Sequence, residues 1–219
     1  SLKDGTIVAE GTATQFVANT ANSASNPEAT SKSDRLTVIW DLDGVIVDSA
    51  PYHFKSWQQA FEKRGLKFTE KDFQHGFGQR NESIIPAILG ETVSEAVMDA
   101  IVHDKETNFR NLIRNKVKPF PGAIELIRRL AERGTKMALV SSTPLENIRL
   151  LLTSLNVTNL FQAIVSAGDV TEGKPSPQGF LLAAQKLGVK PENCVVIEDA
   201  VTGVTAAKRA GMYCIAVTN

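Results

Sequence analysis

The sequence predicts a doubly wound α/β fold, a parallel sheet with helices on both faces, interrupted after its first strand by a smaller helical domain. Three observations predict it. From Arg35 onward short β-branched runs alternate with amphipathic helical runs, which is the pattern of successive βαβ units. Polar residues collect at the carboxyl ends of those runs, where open α/β sheets bind ligands. Between about Ala50 and Lys118 the strand signal disappears and only helical patterning remains.

In chain order, residues 1–34 stand apart. The stretch "ATQFVANTANSASNPEATSKSD" is rich in Ala, Ser, Thr and Asn and poor in large apolar residues, so it reads as a flexible linker or the tail of a preceding domain. The segment before it, "LKDGTIVAEGT", reads as a short hairpin around Asp4-Gly5 or as the end of another domain. The strand candidates follow: "LTVIWD" (36–41), "KMALVS" (136–141), "AIVSA" (163–167), "CVVIED" (194–199) and "YCIAV" (213–217). Helical runs lie between them, among them "GAIELIRRLAERG" (122–134), "PLENIRLLLTSLN" (144–156) and "PQGFLLAAQKLG" (177–188), each ending in the Gly or Asn that commonly closes a helix.

The insert reads differently: "FKSWQQAFEKRG" (54–65), "NESIIPAILG" (81–90) and "SEAVMDAIVHDKETNFRNLIRN" (94–115) are all helical in period. It is bounded by "DSAP" and "VKPFPG". The expected division is therefore an α/β core of residues 35–50 and 119–219, with a helical domain of residues 51–118 placed above the strand ends.

Composition bounds the partners. With 219 residues, of which 42% are hydrophobic, the chain can bury a real core. Lys+Arg 24 against Asp+Glu 24 leaves no global electrostatic case for nucleic acid or an anionic membrane, so any cation that binds phosphate must act locally. Cys194 and Cys214 sit inside apolar strand-like runs and read as buried, inert thiols of a reducing compartment. There is no apolar run of about 18 residues and no basic-then-apolar leader pattern. The expectation is a cytoplasmic protein, monomeric or weakly dimeric.

The chemistry begins at "VIWDLDGVIVDS" (38–49), where a strand ends in two carboxylates spaced i, i+2. Side chains two apart on a strand point to the same side, and two such charges about 4 Å apart repel by roughly 4 kcal/mol at an effective dielectric of about 20. Either one carboxyl holds a proton or a cation sits near both Asp41 and Asp43. Other strand ends add Ser141 and Ser142, Lys174 in "EGKPSP", and the pair Glu198 and Asp199. Each alone is commonplace, since a strand-end Asp often caps a helix and a loop Lys is often only solvated. Together they put about four carboxylates beside one Lys, which is unfavourable unless a hard divalent cation joins them. Oxygen donors alone suit Mg²⁺, and the hydroxyls with Lys174 suit a phosphate.

Four segments in order, "DLDGVIVDS", "VSSTP", "GKPSP" and "VIEDAVTG", resemble the haloacid dehalogenase superfamily of aspartate-nucleophile phosphotransferases, over about Arg35 to Asn219. The likeness is to the branch with a small helical cap that includes β-phosphoglucomutase and many sugar-phosphate phosphatases. It implies a Rossmann-like core and a cap, with Asp41 as nucleophile and Asp43 as general acid and base. It also implies that Ser141, Ser142 and Lys174 hold the phosphoryl oxygens, and that Mg²⁺ lies among Asp41, the backbone carbonyl of Asp43 and Asp199, with Glu198 in or just behind the ligand set. In that scheme the metal compensates Asp41, so Asp43 carries the proton. In the cap, Arg80 of "FGQRNES" stands where relatives carry an arginine that reaches the substrate's distal group. His53 and Trp57 of "SAPYHFKSW" occupy positions shared by phosphatases and mutases of the branch. His75 and His103 have no metal-ligand spacing and read as surface or cap residues. Two departures are visible. Gln178 replaces an acid that is common there and is expected to affect only a helix start, and the sequence stops at "AVTN", where relatives continue through another strand and helix.

The implied activity is a Mg²⁺-dependent phosphatase of small phosphorylated metabolites, sugar phosphates first, working through an aspartyl-phosphate. The alternative is β-phosphoglucomutase-type transfer back to a reoriented sugar phosphate. Dehalogenation is disfavoured because those relatives lack the second Asp and the metal. More distant readings are a phospho-accepting module of the response-regulator kind, which would be shorter and lack the helical insert, and an inactive fragment of a larger protein.

Overall fold

The computed structural model describes residues 6–9, 36–76, 78–90 and 93–218. Among the described residues six strands form one parallel sheet: β1 (Thr6–Ala9), β2 (Thr37–Trp40), β3 (Met137–Val140), β4 (Ala163–Val165), β5 (Cys194–Glu198) and β6 (Tyr213–Val217), in the order β1-β6-β5-β2-β3-β4. All adjacent pairs are parallel. From β2 the chain goes to β3 and then β4 on one side, and later returns to β5 and β6 on the other. Strand order therefore reverses at β2, and its carboxyl end lies at the switch point where such sheets bind ligands.

The alternation of strand side chains builds two apolar layers. Ile39, Ala138, Val140 and Val196 face one side, under α7 (Gln178–Leu187) and α8 (Val201–Arg209). Trp40, Met137, Leu139 and Ile197 face the other, with Ile127 of α5 (Ala123–Glu132) and Ile148, Leu151 and Leu152 of α6 (Leu145–Ser154). Because both faces are covered, the strands read as continuous apolar runs rather than as alternating ones.

Between β2 and α5 lie four helices: α1 (Ala50–Glu62), α2 (Glu70–Gly76), α3 (Asn81–Leu89) and α4 (Glu95–Ile113). Pro51 occupies the first turn of α1, where its missing N–H costs nothing. This region has an apolar cluster of its own, Trp57, Phe61, Phe68, Ile84, Ile85 and Ile101, in which the Phe61 and Phe68 rings lie parallel 5.4 Å apart.

The N-terminal expectation needs correction. Thr6–Ala9 is neither linker nor tail; it extends the sheet beyond β6, with Thr6 opposite Cys214 and Ala9 opposite Val217. A four-residue run is too short to announce itself, and a parallel partner at the opposite end of the chain leaves no local pattern. Residues 1–5 and 10–35, including the proposed Asp4-Gly5 turn, lie outside the described residues. Cys194 and Cys214 are buried and unpaired with each other, and burial pushes both thiols up to about 11, so they are inert. No helix among the described residues is long and apolar enough to cross a membrane.

Candidate active site

The carboxyl end of β2 runs directly into a tight turn. The amides of Ile46 and Val47 both bond back to the Leu42 carbonyl, and Gly44 sits at φ 88°, a conformation open to glycine at little cost. Gly44 is also required for space, since a Cβ there would overlap the carboxylate of Asp199. The turn thus brings two segments together: Asp41 and Asp43 from just after β2, and Asp199 from just after β5.

Lys174 crosses from the loop before α7 and donates to Asp41 Oδ1 and Glu198 Oε1, each at 2.5 Å. All three side chains are at least nine-tenths buried. Burial lowers the Lys174 pKa, but the two carboxylates outweigh it and the ammonium is held well above its ordinary range. Burial raises Asp41 well above the usual carboxylate range; Lys174 opposes this, while Glu198, Asp199 and Asp43 add to it. Asp199 is pushed up to about 7, by burial first and by Glu198 second. Three carboxylates beside one ammonium therefore leave surplus negative charge.

Glu198 is placed differently from the rest of the expected ligand set. Its second oxygen accepts from the Ala200 amide at 2.7 Å, and α8 passes so close that a Cβ on Gly203 would overlap it. Both oxygens are engaged, so Glu198 serves as the anchor of Lys174. Among the described residues no three His, Cys, Asp or Glu side chains gather as a metal cluster. What remains is two carboxylates, Asp41 and Asp199, and the carbonyl of Asp43. Such a set fits Mg²⁺, which retains several waters and takes one or two carboxylates from a protein. The surplus charge and the space that Gly44 leaves for Asp199 favour a cation there.

Asp43 faces away from that cluster. Its Oδ1 accepts from Ser49 Oγ at 2.6 Å and from His53 Nε2 at 3.1 Å, and its Oδ2 accepts from Ser141 Oγ at 3.3 Å. Burial raises its pKa, but His53, Ser49 and Lys105 prevail and the carboxyl is held low. Among protein groups alone, Asp41 is thus the carboxyl pushed toward protonation and Asp43 the one held ionised, the reverse of the order anticipated from sequence. The reason is the neighbourhood: Asp43 receives donors that are not adjacent to it in sequence.

Those donors lead to two residues that the sequence reading missed. Lys105 Nζ lies 3.2 Å from His53 Nδ1 and 2.8 Å from Glu106 Oε1, both of the Lys105–Glu106 pair being buried. An ammonium only donates, so Nδ1 accepts, the ring proton sits on Nε2, and His53 donates to Asp43. The imidazole is held flat on Phe109, with ring centroids 4.0 Å apart. Glu106 also accepts from Asn81 Nδ2 at 2.8 Å and, on its other oxygen, from Asn147 Nδ2 at 2.5 Å; Arg110 completes the set by donating to Asn147 Oδ1 at 3.0 Å. A signal for Lys105 was present in α4, where Ile101, Lys105, Phe109 and Ile113 follow at intervals of four, placing a charge on an apolar stripe.

Ser142 and Thr143 line a cleft between the sheet edge and the helical insert, together with Asp43, His53, Trp57 and Lys105. Arg80 does not line that cleft; it reaches to the core loop after β4 and donates to the carbonyls of Val170 and Thr171. His75 and His103 are exposed, and neither side chain lines the cleft.

A strand-end carboxylate held by a buried lysine, beside a second carboxylate with its own donors, lies at the switch point of a doubly wound sheet, where such sheets bind ligands. Known proteins supply the family. The haloacid dehalogenase-like hydrolase family matches residues 38–217. The β-phosphoglucomutase of Bacillus subtilis is 36% identical over 188 residues, 82% of each chain, and fructose-1-phosphate phosphatase of Escherichia coli is 32% identical, covering 82% of this chain and 95% of its own. The crystal structure of β-phosphoglucomutase from Clostridium difficile superposes with a TM-score of 0.76 at 31% identity, over 84% of this chain and 85% of that one. The chain belongs to the haloacid dehalogenase-like hydrolase family. It is an enzyme, a phosphohydrolase or a phosphomutase, which sets aside the phospho-accepting module.

Proposed function

We propose that this enzyme is a Mg²⁺-dependent phosphatase of small sugar phosphates that works through an aspartyl-phosphate on Asp41. The observation that carries it is the separation of two carboxylates at one strand end: Asp41 bound to Lys174, and Asp43 held apart by Ser49, His53 and Ser141. Names of relatives supply the substrate class, since one is a fructose-1-phosphate phosphatase and another a phosphorylated carbohydrates phosphatase.

In the first step an Asp41 oxygen attacks phosphorus and the bond from phosphorus to the sugar oxygen breaks. The negatively charged phosphoryl group entering beside Asp43 favours its protonated form, which the protein groups alone do not, and Asp43 gives that proton to the departing oxygen. In the second step Asp43 takes a proton from water as the water attacks the phosphoaspartate, releasing phosphate and restoring Asp41. Lys174 and the hydroxyls of Ser141 and Ser142 face the phosphoryl oxygens, where fixed donors count most. His53, with its Nε2 proton aimed at Asp43, sets the orientation of that carboxyl. Mg²⁺ would be held by Asp41, Asp199 and the Asp43 carbonyl, and when bound supplies positive charge to the phosphoryl oxygens.

The 36% identical β-phosphoglucomutase favours a second reading, in which the phosphoaspartate returns its group to a reoriented sugar phosphate. Phosphate release from a panel of sugar phosphates, with and without Mg²⁺ and with conversion of β-glucose 1-phosphate to glucose 6-phosphate followed in parallel, separates them. Metal-dependent release without isomerisation supports the phosphatase. Isomerisation with little release makes it a mutase, and activity indifferent to EDTA removes the metal from the reading.

A further inference from the structure

Asp43 is held by two arms. From the core, Ser141 Oγ donates to its Oδ2 at 3.3 Å and itself accepts from the Thr143 amide at 3.1 Å, two residues before α6 begins. From the helical insert, His53 donates to its Oδ1, with the ring set by Lys105 and Lys105 in turn paired with Glu106. The two arms belong to different parts of the molecule, and a bond between them fixes one against the other.

Asn147 makes that bond. It lies in the first turn of α6 and is fully buried, and Glu106 is almost fully so. Arg110 donates to Asn147 Oδ1 at 3.0 Å, and because a guanidinium only donates, the amide is oriented: Nδ2 faces Glu106 and donates to its Oε2 at 2.5 Å. The other Glu106 oxygen receives Lys105 and Asn81, both at 2.8 Å. The bonds thus close a ring that leaves Asp43 through Ser141 and α6 and returns through Glu106, Lys105 and His53.

Resting on the acid and base role proposed for Asp43, we infer that Asn147 is a positioning residue for that carboxyl, a core amide that acts on it through Glu106, Lys105 and His53. Asn147 does not line the cleft, so it acts only through its neighbours. By occupying one Glu106 oxygen it leaves the other to the Lys105 ammonium, which keeps the ring proton of His53 off Nδ1 and on the nitrogen that faces Asp43. Without the amide, Arg110 and the vacated Glu106 oxygen are both buried without a partner and attract one another. Glu106 then turns from Lys105, the His53 proton divides between its two nitrogens, and Asp43 loses a donor.

The leaving group reports this. The test uses the full chain with Mg²⁺ and compares kcat/KM for fructose 1-phosphate, whose sugar oxygen needs a proton to leave, with that for p-nitrophenyl phosphate, whose nitrophenolate does not. Asn147→Leu keeps the size and removes both bonds; it should lower the first by about tenfold or more and the second by less than about threefold. A loss on p-nitrophenyl phosphate as large as that on fructose 1-phosphate, or no loss on either, overturns the inference. A reversed bridge covers the case in which that variant does not fold. Asn147→Asp sets two carboxylates face to face and Glu106→Gln sets two amides so, and each alone should lower kcat/KM for fructose 1-phosphate. Combined, the new amide at 106 donates to the new carboxylate at 147 while Arg110 keeps its acceptor, and kcat/KM should return to within about threefold of the parent. Recovery above both single variants supports the inference, and a double variant no better than them overturns it. Nitrogen NMR of the three histidine rings reads the same bonds without turnover, the His53 signals being those lost in His53→Gln. The parent should carry the His53 proton on Nε2, and Asn147→Leu and Asn147→Asp a mixture of both tautomers; a His53 pattern that stays the same overturns the inference. A parent that hydrolyses neither ester while its variants show the tautomer change counts against the phosphatase reading alone.

Discussion

Two buried ionic clusters meet at this site, and they are balanced differently. At the sheet edge, Asp41, Glu198 and Asp199 share a single Lys174, and burial holds two of those carboxyls high. On the side of the helical insert, Lys105 answers Glu106 while His53 answers Asp43, and both carboxyls are held low because donors outweigh burial. The first cluster has surplus charge that a cation and a reacting phosphoryl group can use. The second is matched, and its work is to hold side chains in place.

The contrast is sharpest at Asp41. Asp41→Asn removes the proposed nucleophile while preserving shape, and turnover should fall by at least about a thousandfold with the far-ultraviolet circular dichroism unchanged. Phosphate release at the parent rate would remove Asp41 from its role. Next in size is the shared cation: Lys174→Met leaves Glu198 buried without its partner, so we expect both lost activity and a stability loss of about 3–5 kcal/mol in urea unfolding. A variant as stable as the parent would show that the sheet-edge cluster does not depend on its lysine.

The matched cluster should respond more mildly in chemistry. Lys105→Met frees the His53 ring from its tautomer and loosens its hold on Asp43, which should lower kcat by about tenfold to a hundredfold with a smaller change in KM. A change in KM alone would mean that Lys105 touches substrate and does not act through His53. Smallest is a pH effect on stability. Burial raises Glu106, but Lys105, His53 and Asn81 together bring it below its ordinary value. Its stabilising contribution is then complete above the unfolded-state value of about 4.3 and is lost as pH falls through the lower folded value. Urea midpoints measured from pH 6 downward should decline less steeply in Glu106→Gln than in the parent; identical slopes would show that Glu106 does not bind protons differently in the two states.

Local sequence carried much of the candidate site because its polar side chains stand at or just beyond strand ends. Asp41 and Asp43, Ser141, Lys174 and Glu198 each follow an apolar run that marks its own strand or the loop behind one, so their approximate convergence was legible once the winding was assumed. What each carboxyl does with its oxygens was not legible. Glu198 reads as lying in or just behind a metal's ligand set, and that it spends its oxygens on Lys174 and the Ala200 amide is visible only in the structure. Arg80 reads as a substrate contact, and its bonds to carbonyls ninety residues further on are likewise visible only in the structure. Lys105 announced itself only as a charge on the apolar stripe of α4.

By itself, then, the sequence determined the alternation of strands and helices, the helical insert after β2, the burial of both cysteines and the family. These follow from periodicity and from short segments whose chemistry is local. Only the tertiary structure decided that Thr6–Ala9 joins the sheet at β6, that His53 and Lys105 orient Asp43, and that Arg80 lies over Gly173 against the loop held by Gln178. Each of these depends on hydrogen-bond partners distant in sequence. A side chain's burial and donors, which set its charge and its role, exist only once the chain has brought those partners together.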